Sequence, residues 1–80
     1  MTVVHRITGY DKRRGNLMFE HDIPHDKMRY VKDVAHVARE DSDSIGSYEL
    51  APDRAKRIAR VINKMINVED YDWFLEPFST

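Results

Sequence analysis

The sequence predicts an α+β domain: an N-terminal β-hairpin, extended into a small antiparallel sheet, packed against two helices. Three observations carry this prediction. First, "TVVHRITGY" and "NLMFEHDI", rich in β-branched and apolar residues, flank the polar turn "DKRRG", which is the pattern of a hairpin closed by a glycine. Second, apolar residues recur at helical spacing in two later segments. Third, two short stretches, "SYEL" and "DWFLE", stand where they can extend the sheet. A small sheet covered on one face by two helices is the two-layer solution for this order of elements.

Within the hairpin, pairing Tyr10 with Asn16 places Gly9 opposite Leu17, Ile7 opposite Phe19, His5 opposite His21 and Val3 opposite Ile23. One face is then mostly apolar, and the other pairs Arg6 with Glu20, opposite charges that support the register. Pro24 ends the second strand. From His25 to about Ala38 the pattern becomes helical, with a stripe of Met28, Val31, Val34, Ala35 and Ala38. Asp, Ser and Gly in "REDSDSIG" break it.

The second helix begins at Pro52, which suits the first helical position, and Asp53 complements the positive helix start. Ala55, Ile58, Ala59, Ile62, Met65 and Ile66 define its apolar face, and Arg54, Arg57, Arg60 and Lys64 populate the rest. The tail is expected to turn at Val68–Tyr71 and then extend from Trp73 to Glu76, stopped by Pro77, as a third strand beside the hairpin. Alternation there sends Phe74 and Glu76 one way and Trp73 and Leu75 the other. Either Phe74 or Trp73, together with Leu75, is expected to be buried. Glu69, Asp70, Asp72 and Glu76 are expected to stay in water.

The 80 residues suit a single domain, 1–80. Apolar residues make up 41% and charged residues 34%, which fits a thin core rather than disorder. With no cysteine, neither a disulfide framework nor a thiolate metal site is available. No apolar run reaches the roughly 18 residues of a membrane span, and the first residues show no signal-peptide pattern. A cytoplasmic location without a membrane partner is the expectation. The net charge is −1, but the charges are segregated. Residues 41–53 carry acids and no base, residues 54–64 carry bases and no acid, and residues 66–80 are again purely acidic. Such an arrangement can give a molecule two electrostatic faces.

No motif carries catalysis. There is no nucleophile elbow, no Gly-rich phosphate loop and no HExxH or Cys/His spacing, so no enzyme and no cofactor is expected. His5 and His21, as cross-strand neighbours, are the best metal candidates, but a third ligand is missing, and packing with local hydrogen bonds is the expectation. The helix cations with Lys12, Arg13 and Arg14 can touch phosphates. The net charge and the acidic flanks oppose this, so a small regulatory or nucleic-acid-binding module using helix 54–64 stands as the alternative. Protein binding is the leading class. Half of the eight aromatic residues fall in "VEDYDWFLEPFST", interleaved with acids, a composition suited to a basic protein surface. The candidate contacts are Asp41, Asp43, Glu49, Glu69, Asp70, Asp72 and Glu76, with Tyr48, Tyr71 and Trp73 as anchors. In isolation the chain is expected to be a monomer or a weak dimer.

"GYDKRRGNLMFEHDIP", "SYELAPDRAKRI" and "YDWFLE" together resemble a family of small bacterial domains of unknown function associated with polymorphic toxins, in which a hairpin and helix are followed by an SYxL-x-P helix start and a closing YDxFLE. The resemblance runs from about Val3 to Glu76. Ala51 departs from it, standing where the family commonly has a Thr or Ser cap, as does "DSDSIG", where the family has "DDP" before SYxL. Some members are similar to immunity proteins of contact-dependent growth inhibition systems. The resemblance implies a non-catalytic role, in which the protein binds a cognate toxin domain, a nuclease among the possibilities, and occludes its active site.

Overall fold

The computed structural model describes residues 3–37 and 46–79. Among these, the elements run β1 (Val3–Asp11), β2 (Leu17–Asp22), a 3-10 turn (His25–Lys27), α1 (Met28–Ala35), β3 (Tyr48–Leu50), α2 (Pro52–Val61) and β4 (Tyr71–Ser79). The strands form one antiparallel sheet in the order β2-β1-β4-β3. Both helices pack on the same face, and the predicted α+β class is the one observed.

The hairpin closes more tightly than expected. Asp11 N–H donates to the Asn16 carbonyl at 2.9 Å and Gly15 N–H to the Asp11 carbonyl at 2.8 Å. Asp11 Oδ1 accepts the backbone N–H groups of Arg13 and Arg14, both at 2.8 Å. These two bonds, Arg14's first, hold the Asp11 carboxyl below the ordinary carboxylate range. Gly15 supplies the positive φ, at 75°. Tyr10 therefore pairs with Leu17 rather than Asn16, a slip of one that would turn Phe19 away from the helices. A bulge undoes it: Met18 is the extra residue, Gly9 pairs with Phe19, and Ile7 with His21. The net slip of two preserves the faces and changes the partners. His5 thus lies opposite Ile23, which donates to its carbonyl at 2.8 Å, and the expected His5–His21 pair does not form. Arg6 faces Asp22, with Nε–Oδ1 at 2.6 Å, and reaches Glu20 on the diagonal at 3.7 Å.

The tail is the largest departure. It enters the middle of the sheet, pairing with β1 along its whole length, and continues through Pro77 to Ser79. Proline is tolerated there for a geometric reason. The His5 carbonyl is turned to β2, so in an antiparallel ladder the His5–Pro77 pair is a non-hydrogen-bonded one. The Pro77 nitrogen then points away from β1, past the end of β3, which pairs only with Trp73–Leu75. No ladder bond is lost.

Helical periodicity is realised where predicted. Met28, Val31, Val34 and Ala35 of α1 and Ala55, Ile58 and Ala59 of α2 are buried with Ile7, Leu50, Trp73 and Leu75. Both helices are shorter than expected, and both end in the same way. His36 (φ 56°) and Asn63 (φ 58°) take the left-handed conformation. The following residues bond back, Val37 N–H to the Lys32 carbonyl at 3.1 Å and Lys64 N–H to the Ala59 carbonyl at 2.8 Å, which makes each a Schellman stop. Ending α2 here leaves Ile62 and Ile66 packed on the core and turns Met65, predicted to face inward, out to 98% exposure. Ala38 of the first stripe lies outside the described residues.

Trp73 sits 2% exposed at the centre, opposite Gly9 on β1. A Cβ at Gly9 would lie 2.8 Å from Cζ3 of the indole and 3.0 Å from Cη2. Glycine at this strand position makes room for the ring. Phe19 and Tyr71 meet the indole edge-on, with centroids at 5.0 and 5.7 Å.

Candidate functional site

Because both helices lie on one side, the opposite face of the sheet is uncovered by any helix among the described residues. Strand alternation assigns its residues. If Ile7, Leu50, Trp73 and Leu75 face the helices, then Arg6, Thr8 and Tyr10 of β1, Glu49 of β3 and Asp72, Phe74, Glu76 and Phe78 of β4 face the other way. Glu20 and Asp22 join them from β2, since they pair with Thr8 and Arg6.

The centre of this face is a hydrogen-bonded cluster. Thr8 Oγ1 and Tyr10 Oη both donate to Glu76 Oε1, each at 2.5 Å. Thr8 is 0% exposed although no helix covers it, and its hydroxyl also approaches the Phe74 carbonyl at 3.4 Å. Hydroxyl-to-carboxylate bonds of this length are charge-assisted. They fix the carboxylate through one oxygen, Oε1. The hydrogen bond to Glu76, then burial, then the negative charge of Glu76 together raise the Tyr10 pKa above the ordinary tyrosine value. Tyr10 and Phe74 pack edge-to-face at 5.5 Å and 80°. The Arg6 guanidinium lies over the Phe78 ring at 4.6 Å, a cation–π contact, while holding Asp22 and Glu20.

Glu20, Asp22, Glu49, Asp72 and Glu76 are thus gathered around three aromatic rings, and Arg6 is the one base on these strand positions among the described residues. Glu69 and Asp70 stand exposed in the turn that leads into β4, where Asn67 Nδ2 donates to Asp70 Oδ2 at 2.6 Å. Asp72 adjoins them, so the acidic surface continues around that end of the sheet.

The structure redistributes the expected contacts. Glu49, Asp72 and Glu76 share the open face, and Glu69 and Asp70 border it. The expected anchors do not belong to it: Trp73 is core, and Tyr48 and Tyr71 pack against the core from the helix side. Their places are taken by Tyr10, Phe74 and Phe78. Asp41 and Asp43 lie outside the described residues. Glu20 and Asp22 were absent from the sequence-derived set, although the opposite-charge pairing of Arg6 with β2 pointed to their face.

At the edge, Lys12, Glu49, Leu50, Arg54, Asp72 and Trp73 help to line a cleft of about 400 Å³ between the sheet and the start of α2. Its charges are mixed, two cations and two acids, with no nucleophile beside a base. Among the described residues no group of three or more His, Cys, Asp or Glu is placed to hold a metal ion, and no helix is long and apolar enough to cross a membrane.

These features define a two-layer α+β domain with one helix-covered face and one open face rich in acids and aromatics. The chain belongs to a family described as a domain of unknown function (DUF7683), whose pattern matches residues 4–76. No curated protein and no solved structure matches it.

Proposed function

We propose that this protein is an immunity-type binding protein, which neutralises a cognate bacterial toxin domain by covering its active site with the open sheet face. The observation that carries the binding part is the concentration of five carboxylates around Tyr10, Phe74 and Phe78 on strands. Strands hold such groups more rigidly than loops, so little order is lost on binding. The aromatics supply area for burial, and the carboxylates supply steering and register against a basic surface. A nuclease, whose active site is built to receive phosphates, presents such a surface. The toxin part rests on the resemblance of the SYEL and YDWFLE segments.

The test is co-purification with the C-terminal domain of a toxin gene adjacent to this one, followed by rescue of growth. A stable complex and rescue are expected. The Glu49→Lys/Asp72→Lys variant, altered only at exposed positions, is expected to associate about tenfold more slowly at low salt and to lose rescue. Lys56→Glu/Arg60→Glu, on the opposite layer, is expected to rescue normally. Normal rescue by the sheet-face variant would remove the acidic face from the mechanism.

A further inference from the structure

The outer side of α2 carries a second surface of opposite sign. Lys56 and Arg60 lie one turn apart, about 6 Å along the helix axis, and Lys64 follows the Schellman stop. With Ala59, Met65 and Ile66 they line a groove of about 250 Å³. Its floor is apolar, since Ala59 is buried and Ile66 packs on the core. Met65, thrown outward by the left-handed Asn63, stands 98% exposed at its rim. Among the described residues, none of the three cations is held in an ion pair.

We propose that this groove is a docking surface for an acidic amphipathic segment of a protein, with carboxylates on Lys56, Arg60 and Lys64 and an apolar side chain against Met65 and Ile66. Charge complementarity sets the sign of the occupant, because no acid lies between Asp53 and Glu69. The lining favours protein over nucleic acid. No aromatic side chain is present on which a base would stack, whereas an apolar floor beside an adaptable methionine suits the apolar stripe of an amphipathic helix. The groove belongs to the helix layer, away from the acidic face, so it is independent of the toxin reading and both surfaces can be occupied together.

The test is a titration of the full chain, labelled with ¹³C in its methionine methyl groups, with a synthetic peptide bearing Leu at helical spacing and Glu elsewhere. Met28 in the core and Met18 on β2 serve as internal controls. The Met65 methyl resonance is expected to shift saturably while Met18 and Met28 do not. Affinity is expected to fall about fivefold or more between about 50 and about 300 mM salt. Lys56→Glu/Arg60→Glu/Lys64→Glu is expected to abolish the shift, and Met65→Ala to weaken binding about threefold or more, followed by backbone amide shifts, with the fold unchanged. No saturable shift at Met65, or one that survives the charge reversal, overturns the proposal. A single-stranded DNA oligonucleotide that moves Met65 at lower concentration than the peptide overturns it in favour of nucleic acid.

Discussion

Replacing Gly9 with alanine tests whether the packing of Trp73 against a bare strand position holds the sheet together. The new methyl would sit 2.8, 3.0 and 3.1 Å from three indole carbons, where ordinary carbon contacts are about 3.5–4.0 Å. The ring must retreat by about 0.7–1 Å, but Phe19 and Tyr71 grip it edge-on, so its movement disturbs both. Overpacking of this kind costs about 1–3 kcal/mol. Loss of glycine's freedom in the unfolded chain offsets about 0.4–1 kcal/mol. The net expectation is a destabilisation of about 1–2 kcal/mol, or about 5–15 °C in Tm for a domain of this size. Urea unfolding followed by far-UV circular dichroism measures it in every background, including those that lack the single tryptophan. In a Trp73→Leu background, which removes the ring, Gly9→Ala is expected to cost nothing or to stabilise, and the double-mutant cycle isolates the coupling. A Gly9→Ala protein as stable as the wild type, or an equal cost in both backgrounds, would mean that the indole does not occupy the space left by the missing Cβ.

Three further outcomes follow from the same geometry. Ala51 has the extended conformation of an N-cap (φ −60°, ψ 153°) but no side chain to cap with, so Ala51→Ser is expected to add about 1 kcal/mol, read as a higher urea midpoint at unchanged slope. His36→Gly relieves a left-handed backbone costing about 1–2 kcal/mol against a glycine entropy penalty of about 0.4–1 kcal/mol, and thermal unfolding is expected to show a net gain. Tyr10 has its pKa raised in the fold, so the folded state holds that proton more tightly than the unfolded chain. Its contribution is full below the unfolded value, near about 10, and is lost as pH rises through the folded value. Tyr10→Phe is expected to flatten the fall in stability above about pH 10, measured by urea unfolding across that range.

The layers of the fold could be read from local pattern because each helix shows its buried stripe within three turns, and Asp11 and Gly15 mark their turn. What could not be read is non-local. The sequence left Trp73 and Phe74 as alternatives for the core, and the choice depends on Gly9, some sixty residues away, whose missing Cβ makes the space. The central position of β4 and the harmlessness of Pro77 depend on strand order. The Schellman stops at His36 and Asn63 use no glycine, so both helices looked longer than they are. For the site, Glu49 and Asp72 were legible as surface acids, whereas Glu76, expected to stay in water, is half-buried beneath the Thr8 and Tyr10 hydroxyls that donate to it. Their neighbours Glu20, Asp22 and Tyr10 come together with them only once β4 is placed beside β1.

The open sheet face is the surface proposed to meet the toxin domain. Cross-saturation NMR on the complex with the cognate toxin domain locates the contact, because it marks the amides that touch the partner. Saturation is expected at the amides of Arg6–Tyr10, Glu20, Glu49, Asp72–Glu76 and Phe78, with α1 untouched. Saturation centred on α1 and α2, with the sheet face silent, would contradict it.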